Sequence, residues 1–358
     1  MAKQRIPTLS RKRLSQVVRQ FKENGIKLLL EHPQSVRELL CLTPGAWSQR
    51  IDFSRMRLVK TTFIRRDFRH VESDIVLVAP LLDERGRRTR KSVLIYVLIE
   101  HQSEPDRLMS LRMLDYSVQI YRYQVRQWTH AYGDDSDVSL SLVLPIVFYT
   151  GSHKWDSLGS LTDLIEQGSR YAELVPSLAP LYINLPALPA LTLKRDGGYL
   201  GHVLRLVQQR RARPREFAKL LADVVESLEK MPPAERLRWL DLLSYLHAMI
   251  YHERTPAELE MLAETIEHSV ATDDHRKEIH AMGQTIAEKL IEEGKKEGYE
   301  AGEIQSLRRT LQRLLLKRFG KQTDETLAII EQTSDRRQLE EWLDRIVTAK
   351  SVQQIGIR

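Results

Sequence analysis

The chain has a single cysteine, Cys41, among 358 residues. One thiol forms no internal disulfide and builds no cysteine-based zinc cage, so Cys41 is expected to pack as a small hydrophobe. Long apolar runs are missing as well. No stretch approaches the roughly 18–20 residues that span a bilayer. The first 22 residues carry seven basic side chains, no acidic one and no apolar core of a secretory signal. No membrane partner is therefore expected, and a cytoplasmic location is. Also absent are the Walker A, G-x-G-x-x-G and G-x-S-x-G patterns, which removes the usual phosphate-loop, dinucleotide and nucleophile-elbow readings.

What the sequence does have is positive charge, unevenly spread. The net charge is +7 and the pI about 9.3. Basic residues cluster at 3–22, at 55–69, at 85–91 ("RGRRTRK") and at 205–219. Clusters of this kind are the electrostatic footprint of a polyphosphate such as DNA. Arginine-rich surfaces also occur without such a partner.

Hydrophobic spacing gives the organisation. Leu14, Val17, Val18 and Phe21, then Ile26, Leu29 and Leu30, then Val36, Leu39 and Leu40 recur at helical intervals, interrupted at Pro33. Strands are expected over 56–64, 71–82 and 92–102. The run "VLIYVLI" in the third predicts a central strand covered on both faces. A long helix follows from "RLMSLRMLDYSVQIYRYQVRQWTHAY", then a strand over 140–151, where Pro145 argues for an edge position or a bulge. Pro186, Pro189, Gly197, Gly198 and Gly201 mark a boundary, beyond which only charged helical patterns remain. Gly294, Gly298 and Gly302 recur every four residues in one of them, which predicts either close helix–helix approach or a weak helix. The expected class is α/β, a mixed sheet flanked by helices and followed by an all-helical C-terminal region. The expected divisions are 1–200, a helical region 201–290 and a helical segment 291–358 for oligomerisation or DNA contact.

Two strands carry carboxylates at their ends. In "VESDIVLVAP" these are Glu72 and Asp74; in "LIYVLIEHQSEPD" Glu100 stands two residues before Gln102. Residues i and i+2 share a strand face. If the two strands form an antiparallel hairpin, Asp74 and Glu100 share one end of the sheet. Carboxylates and a carboxamide there form an oxygen-rich site suited to Mg²⁺ or Mn²⁺. A bound cation would offset the burial of charge, polarise a phosphoryl oxygen and acidify a water. The plainer alternative is that these side chains face solvent or meet an arginine, with Arg65, Arg66 and Arg69 nearby in sequence.

"ESD" followed by "LIEHQ" resembles the D…(D/E)-x-K pattern of PD-(D/E)XK phosphodiesterases, with glutamine at the lysine position. More narrowly, "YVLIEHQSEPDRLMSLRMLDYSVQIYR", "LPIVFYTGSHKWDSL" and "LLLEHPQSVRELL" resemble the Rpn (YhgA-like) recombination-promoting nucleases, also termed putative transposases. The resemblance covers about residues 22–160, and "LRRTLQRLLLKRFGK…LEEWLDRIVTAKS" resembles the helical end of many such proteins. It implies a restriction-endonuclease-like sheet and a magnesium-dependent DNA endonuclease, linked to recombination or mobile elements. Asp74 and Glu100 would be the metal ligands and Gln102 would replace the lysine that handles the water. Glu23, on the first helix, and Glu72 are weaker metal-ligand candidates; Glu31 is an alternative to Glu23. Gln102 supplies no positive charge, so transition-state charge would rest on the metal and on nearby basic residues. The alternative function is a catalytically weak DNA-binding or interaction protein on the same fold. A homodimer through the helical tail is the expected assembly, since paired sites suit cutting both strands.

Other residues invite functional readings. Parity sends His101 to the face opposite Glu100 and Gln102, as a structural or polar-contact histidine. His153 and Trp155 either contact substrate or staple their loop to the sheet. Tyr149 is expected to face the core. Tyr116, Tyr121 and Tyr123, beside Arg122 and Arg126, mix aromatic and basic groups as nucleic-acid readers do, though helical spacing predicts core packing for most of them.

Overall fold

The structure, a computed structural model, describes residues 21–59, 75–87, 94–134 and 136–357. Two amphipathic helices come first, α1 (Phe21–Leu30) and α2 (Pro33–Cys41). Pro33 opens α2 at the first helical turn, where its missing N–H costs nothing. Cys41 is exposed, as the last residue of α2 on its outward side, and does not pack in the core as its residue type suggested.

The described residues contain a five-stranded mixed sheet in the order β1–β2–β3–β4–β5. The strands are β1 (Arg57–Leu58), β2 (Ile75–Pro80), β3 (Leu94–Gln102), β4 (Leu142–Tyr149) and β5 (Leu181–Asn184). β2 pairs antiparallel with β3, whereas β3, β4 and β5 run parallel. Of the strand expected over 56–64, Arg57 and Leu58 pair with Val78 and Leu77, and residues from 60 onward lie outside the described residues. The apolar run of β3 is central, as its composition predicts, with Ile95, Val97, Leu98 and Ile99 fully buried.

A parallel neighbour requires a crossover, and helix α3 (Met109–Tyr132) provides it between β3 and β4. Its inner side chains Met109, Met113, Tyr116 and Ile120 pack on Val76, Val78, Tyr96 and Leu98. Gly133, at φ +89°, ends the helix in the left-handed conformation that glycine adopts without strain.

Pro145 does not mark an edge strand, because β4 lies between β3 and β5. The ladder with β5 begins only at Ile146, so Pro145 sits where that side of β4 is still unpaired and its missing N–H breaks no rung. The strand β5, "LYIN", adds a fifth member that the sequence reading did not include.

Helices α4 (Ala190–Asp196), α5 (Gly198–Gln208), α6 (Pro214–Leu228), α7 (Arg236–Glu253) and α8 (Leu259–His268) follow. The glycines at 197–201 form a packed joint. A Cβ on Gly201 would lie 2.1 Å from the Leu193 carbonyl oxygen, and one on Gly198, at φ +54°, 2.5 Å from the Glu38 carboxylate. Glu38 accepts from the Leu200 N–H at 2.8 Å and pairs with Arg238, whose guanidinium also reaches Ser35 and Glu235. This buried network ties α2, α5 and α7 together. Its charges are compensated by several hydrogen bonds, the condition under which buried ions are tolerated.

One compact unit ends at Ile286 and a second spans Ala287–Arg358. The second contains the latter part of the long helix α9 (Asp273–Phe319), with α10 (Asp324–Gln332) and α11 (Arg336–Thr348). Its own core comprises Leu311, Leu315, Ile330, Leu339, Trp342 and Ile346. Thr323 and Asp335 cap α10 and α11 by accepting from backbone N–H groups. Among the described residues nothing lies within 4 Å of a Cβ built on Gly302. Among the described residues no helix is long and apolar enough to cross a membrane.

Candidate active site at the carboxyl end of β3

Glu100 and Gln102 follow Tyr96 and Leu98 in alternation and so project to the sheet face that α3 covers. Glu100 is fully buried. Its Oε1 accepts from the Gln102 side-chain amide at 2.7 Å and from the Arg112 guanidinium at 2.6 Å. Its Oε2 is buried with no hydrogen-bond partner among the described residues. Arg112, one turn into α3, also donates to Asp106 at 2.7 Å and to the Tyr116 hydroxyl at 3.3 Å. Asp106 in turn accepts from the Leu108 N–H at the start of the helix.

Burial pushes the Glu100 carboxyl up to about 7, against the opposing pull of Arg112 and of the Gln102 hydrogen bond. Lys27 on α1 adds a smaller positive influence. Burial, helped by the Glu100 charge, likewise raises the Tyr116 phenol to about 12. The site therefore holds a carboxyl poised near neutrality, with one oxygen still unsatisfied. Such perturbation is common where function is built.

Of the sequence candidates, the structure brings Glu100 and Gln102 into direct contact. Asp74 and Glu72 lie outside the described residues, as do Arg65, Arg66 and Arg69 and the Glu23 side chain. The final described rung of the β2–β3 ladder is Ile75 with Ile99; in sequence, Asp74 precedes the one and Glu100 follows the other. Among the described residues no group of three or more His, Cys, Asp or Glu side chains is placed to hold a metal ion. For a divalent cation, the Glu100 Oε2 is a suitable hard donor, since it is buried, belongs to a carboxyl that is anionic above neutrality and accepts no hydrogen bond from the described residues.

Arg112 and Asp106 were not anticipated. Glu100 does meet an arginine, but one twelve residues ahead on the following helix. The available signal was Arg112 four residues before Tyr116, on a helix flank facing the strand end.

The remaining candidates lie apart from the Glu100–Gln102 pair. His101 points away from Glu100, with its Nε2 2.8 Å from the Thr150 hydroxyl, and burial lowers its pKa to about 4. Trp155 packs edge-on against Tyr149 and Tyr182, and its carbonyl accepts from Asn184, so it staples the loop to the sheet. Tyr149 is buried and donates to the His153 carbonyl. His153 itself pairs with Glu104 in an exposed position. Tyr116 is core, Tyr123 packs against the same cluster, and Tyr121 faces outward.

Residues 23–238, more than half of the chain, match the family model described as putative transposase, YhgA-like. The chain belongs to this family. Among curated proteins, the YhgA-like chain is 28% identical over 127 residues to recombination-promoting nuclease RpnD of Escherichia coli O157:H7, which covers 35% of this chain and 44% of that protein. It is 27% identical over 126 residues to RpnC of Escherichia coli strain K12, covering 35% of this chain and 37% of the other. RpnA of the same strain is 28% identical over 126 residues, 35% of this chain and 38% of RpnA. The matched stretch thus spans less than half of each relative's length. No solved structure matches.

Proposed function

We propose that this YhgA-like protein is a metal-dependent DNA endonuclease on a PD-(D/E)XK-type core, acting in recombination or on mobile elements. The observation that carries the reading is the Glu100 carboxylate, fully buried at the end of a central strand with one oxygen unpartnered among the described residues. Arg112 meets the other oxygen, and a buried acceptor left without a partner costs about 1–3 kcal/mol. Asp74 is the next residue in sequence before the last described rung, and we assign it with Glu100 to the divalent ion, Mg²⁺ or Mn²⁺. Glu72 and Glu23 are further, weaker candidates. When bound, the ion would supply a polarised phosphoryl oxygen and an activated water.

The chain's own residues have separate parts. Gln102 fixes the Glu100 rotamer through its amide and offers a carboxamide where related nucleases carry lysine. Arg112, held by Asp106, supplies positive charge beside the reacting phosphate. The basic clusters would hold DNA by counterion release. The names of the Rpn relatives, recombination-promoting nucleases, support nuclease chemistry in the family.

A second reading has one observation in its favour. Arg112 already neutralises Glu100, and Gln102 adds no charge, which also fits a DNA-binding protein that does not cut. The two are separated by assaying wild type, Asp74→Ala and Glu100→Gln for plasmid nicking and for DNA affinity. Loss of cleavage in both variants with affinity retained supports the endonuclease. Binding without cleavage in wild type, at any Mg²⁺ or Mn²⁺ concentration, leaves the second reading.

A further inference from the structure

Helix α3 has two apolar faces, and among the described residues the core uses one of them. The inner face packs on the sheet through Met113, Tyr116 and Ile120. The outer face carries Leu111, Leu114, Val118, Tyr121, Val125 and Trp128, ending on Tyr132. Their spacing alternates three and four residues throughout, the repeat of a coiled-coil seam. Leu111, Val118 and Tyr132 are 45%, 38% and 69% exposed, and the others are half-buried. At the middle of the helix Val118, Tyr121, Arg122 and Val125 border a shallow, open apolar depression. Four residues at i, i+3, i+4 and i+7 are the receptacle into which a partner helix inserts a knob.

We propose that this face is a homodimer interface, in which α3 of one copy packs antiparallel against α3 of a second copy. The charges flanking the seam select that partner and direction. Asp115 accepts a hydrogen bond from the Gln119 side chain and has no ion pair among the described residues. Arg122, on the same flank, has no acidic partner there either. The two are seven residues apart, about 10 Å along the axis, so they do not pair within one helix. An antiparallel pairing with its twofold axis between Val118 and Gln119 sets each Asp115 against Arg122 of the other copy, twice over. The same pairing opposes the two helix dipoles favourably. It is isologous and closed, so it makes dimers and not filaments. A single helical seam is at the small end of specific interfaces, so association in the micromolar range is expected. The inner face of the same helix carries Arg112, which holds Glu100, so dimerisation would join the two strand-end sites through one pair of helices.

The test is sedimentation velocity of the full chain over a concentration series. Wild type is expected to pass from monomer to dimer. Val118→Glu places a charge on an already exposed position and should raise the half-dimer concentration roughly tenfold or more, with unchanged circular dichroism. Asp115→Arg should weaken association, and Asp115→Arg combined with Arg122→Asp should restore it. A wild type that stays monomeric at every concentration would overturn the proposal. So would a dimer indifferent to Val118→Glu, which would place the contact on the helical tail. Failure of the double charge swap to restore association would overturn the antiparallel register.

Discussion

Replacing Glu100 by glutamine removes the charge and keeps the shape, so it isolates the cost of the buried carboxylate. In the unfolded chain Glu100 ionises near 4.5, and in the folded protein only near about 7. Between these values the folded state binds more protons, so stability falls as pH rises through the window and levels off above it. The displacement corresponds to about 3 kcal/mol. Glu100→Gln has no such proton to lose. The stability of the variant relative to wild type should therefore rise by about 3 kcal/mol between pH 4.5 and pH 8. Urea unfolding of both proteins at half-unit pH steps measures the difference, and the shared contributions of other groups cancel. Parallel curves, with a constant offset across the window, would refute the reasoning. Magnesium adds a second arm. At tenfold its dissociation constant, Mg²⁺ should stabilise wild type by about 1.4 kcal/mol at pH 8 and the variant by much less.

Removing the other half of the pair should have the opposite sign. Arg112→Ala leaves the buried Glu100 carboxylate without its cation and should cost about 3–5 kcal/mol at pH 8 by urea unfolding, with the loss shrinking toward pH 5. Gly198→Ala puts a methyl group 2.5 Å from the Glu38 carboxylate at a positive φ, so thermal unfolding should show a loss of about 1–3 kcal/mol. His101→Gln disturbs the contact with Thr150 on the opposite sheet face, and should leave any divalent-ion stabilisation intact when titrated with Mg²⁺. Trp342→Ala opens the core of the second unit and should cost about 3–5 kcal/mol there, read by hydrogen exchange confined to residues 304–357.

Much of the core was legible because its signals are local. The run in β3 announced a doubly covered strand, and period-two alternation set Glu100 and Gln102 on one face with His101 on the other. The helices around Trp342 followed from helical periodicity, though the core they share was not read from it. Features that depend on distant pairing were not legible. β5 is four residues between Pro180 and Pro186, too short to show alternation, and it exists because β4 offers it a parallel edge. Pro145 looked like an edge marker because sequence does not reveal where a neighbouring ladder begins. The glycines at 197–201 have the composition of a linker, yet they permit close approach to Leu193 and Glu38. The Glu38–Arg238 contact joins positions 200 residues apart. Within the site, the arginine for Glu100 was sought upstream at 65–69, whereas the crossover geometry of β3 and α3 returns Arg112 over the strand end.

The central claim is that Asp74 and Glu100 act together through a divalent ion to cut DNA. Nicking of supercoiled plasmid by wild type, Asp74→Ala and Glu100→Ala, in Mg²⁺ and in EDTA, tests it most directly. The account predicts nicking by wild type in Mg²⁺ alone and none by either variant. Equal nicking by all three proteins, or activity that persists in EDTA, would contradict it.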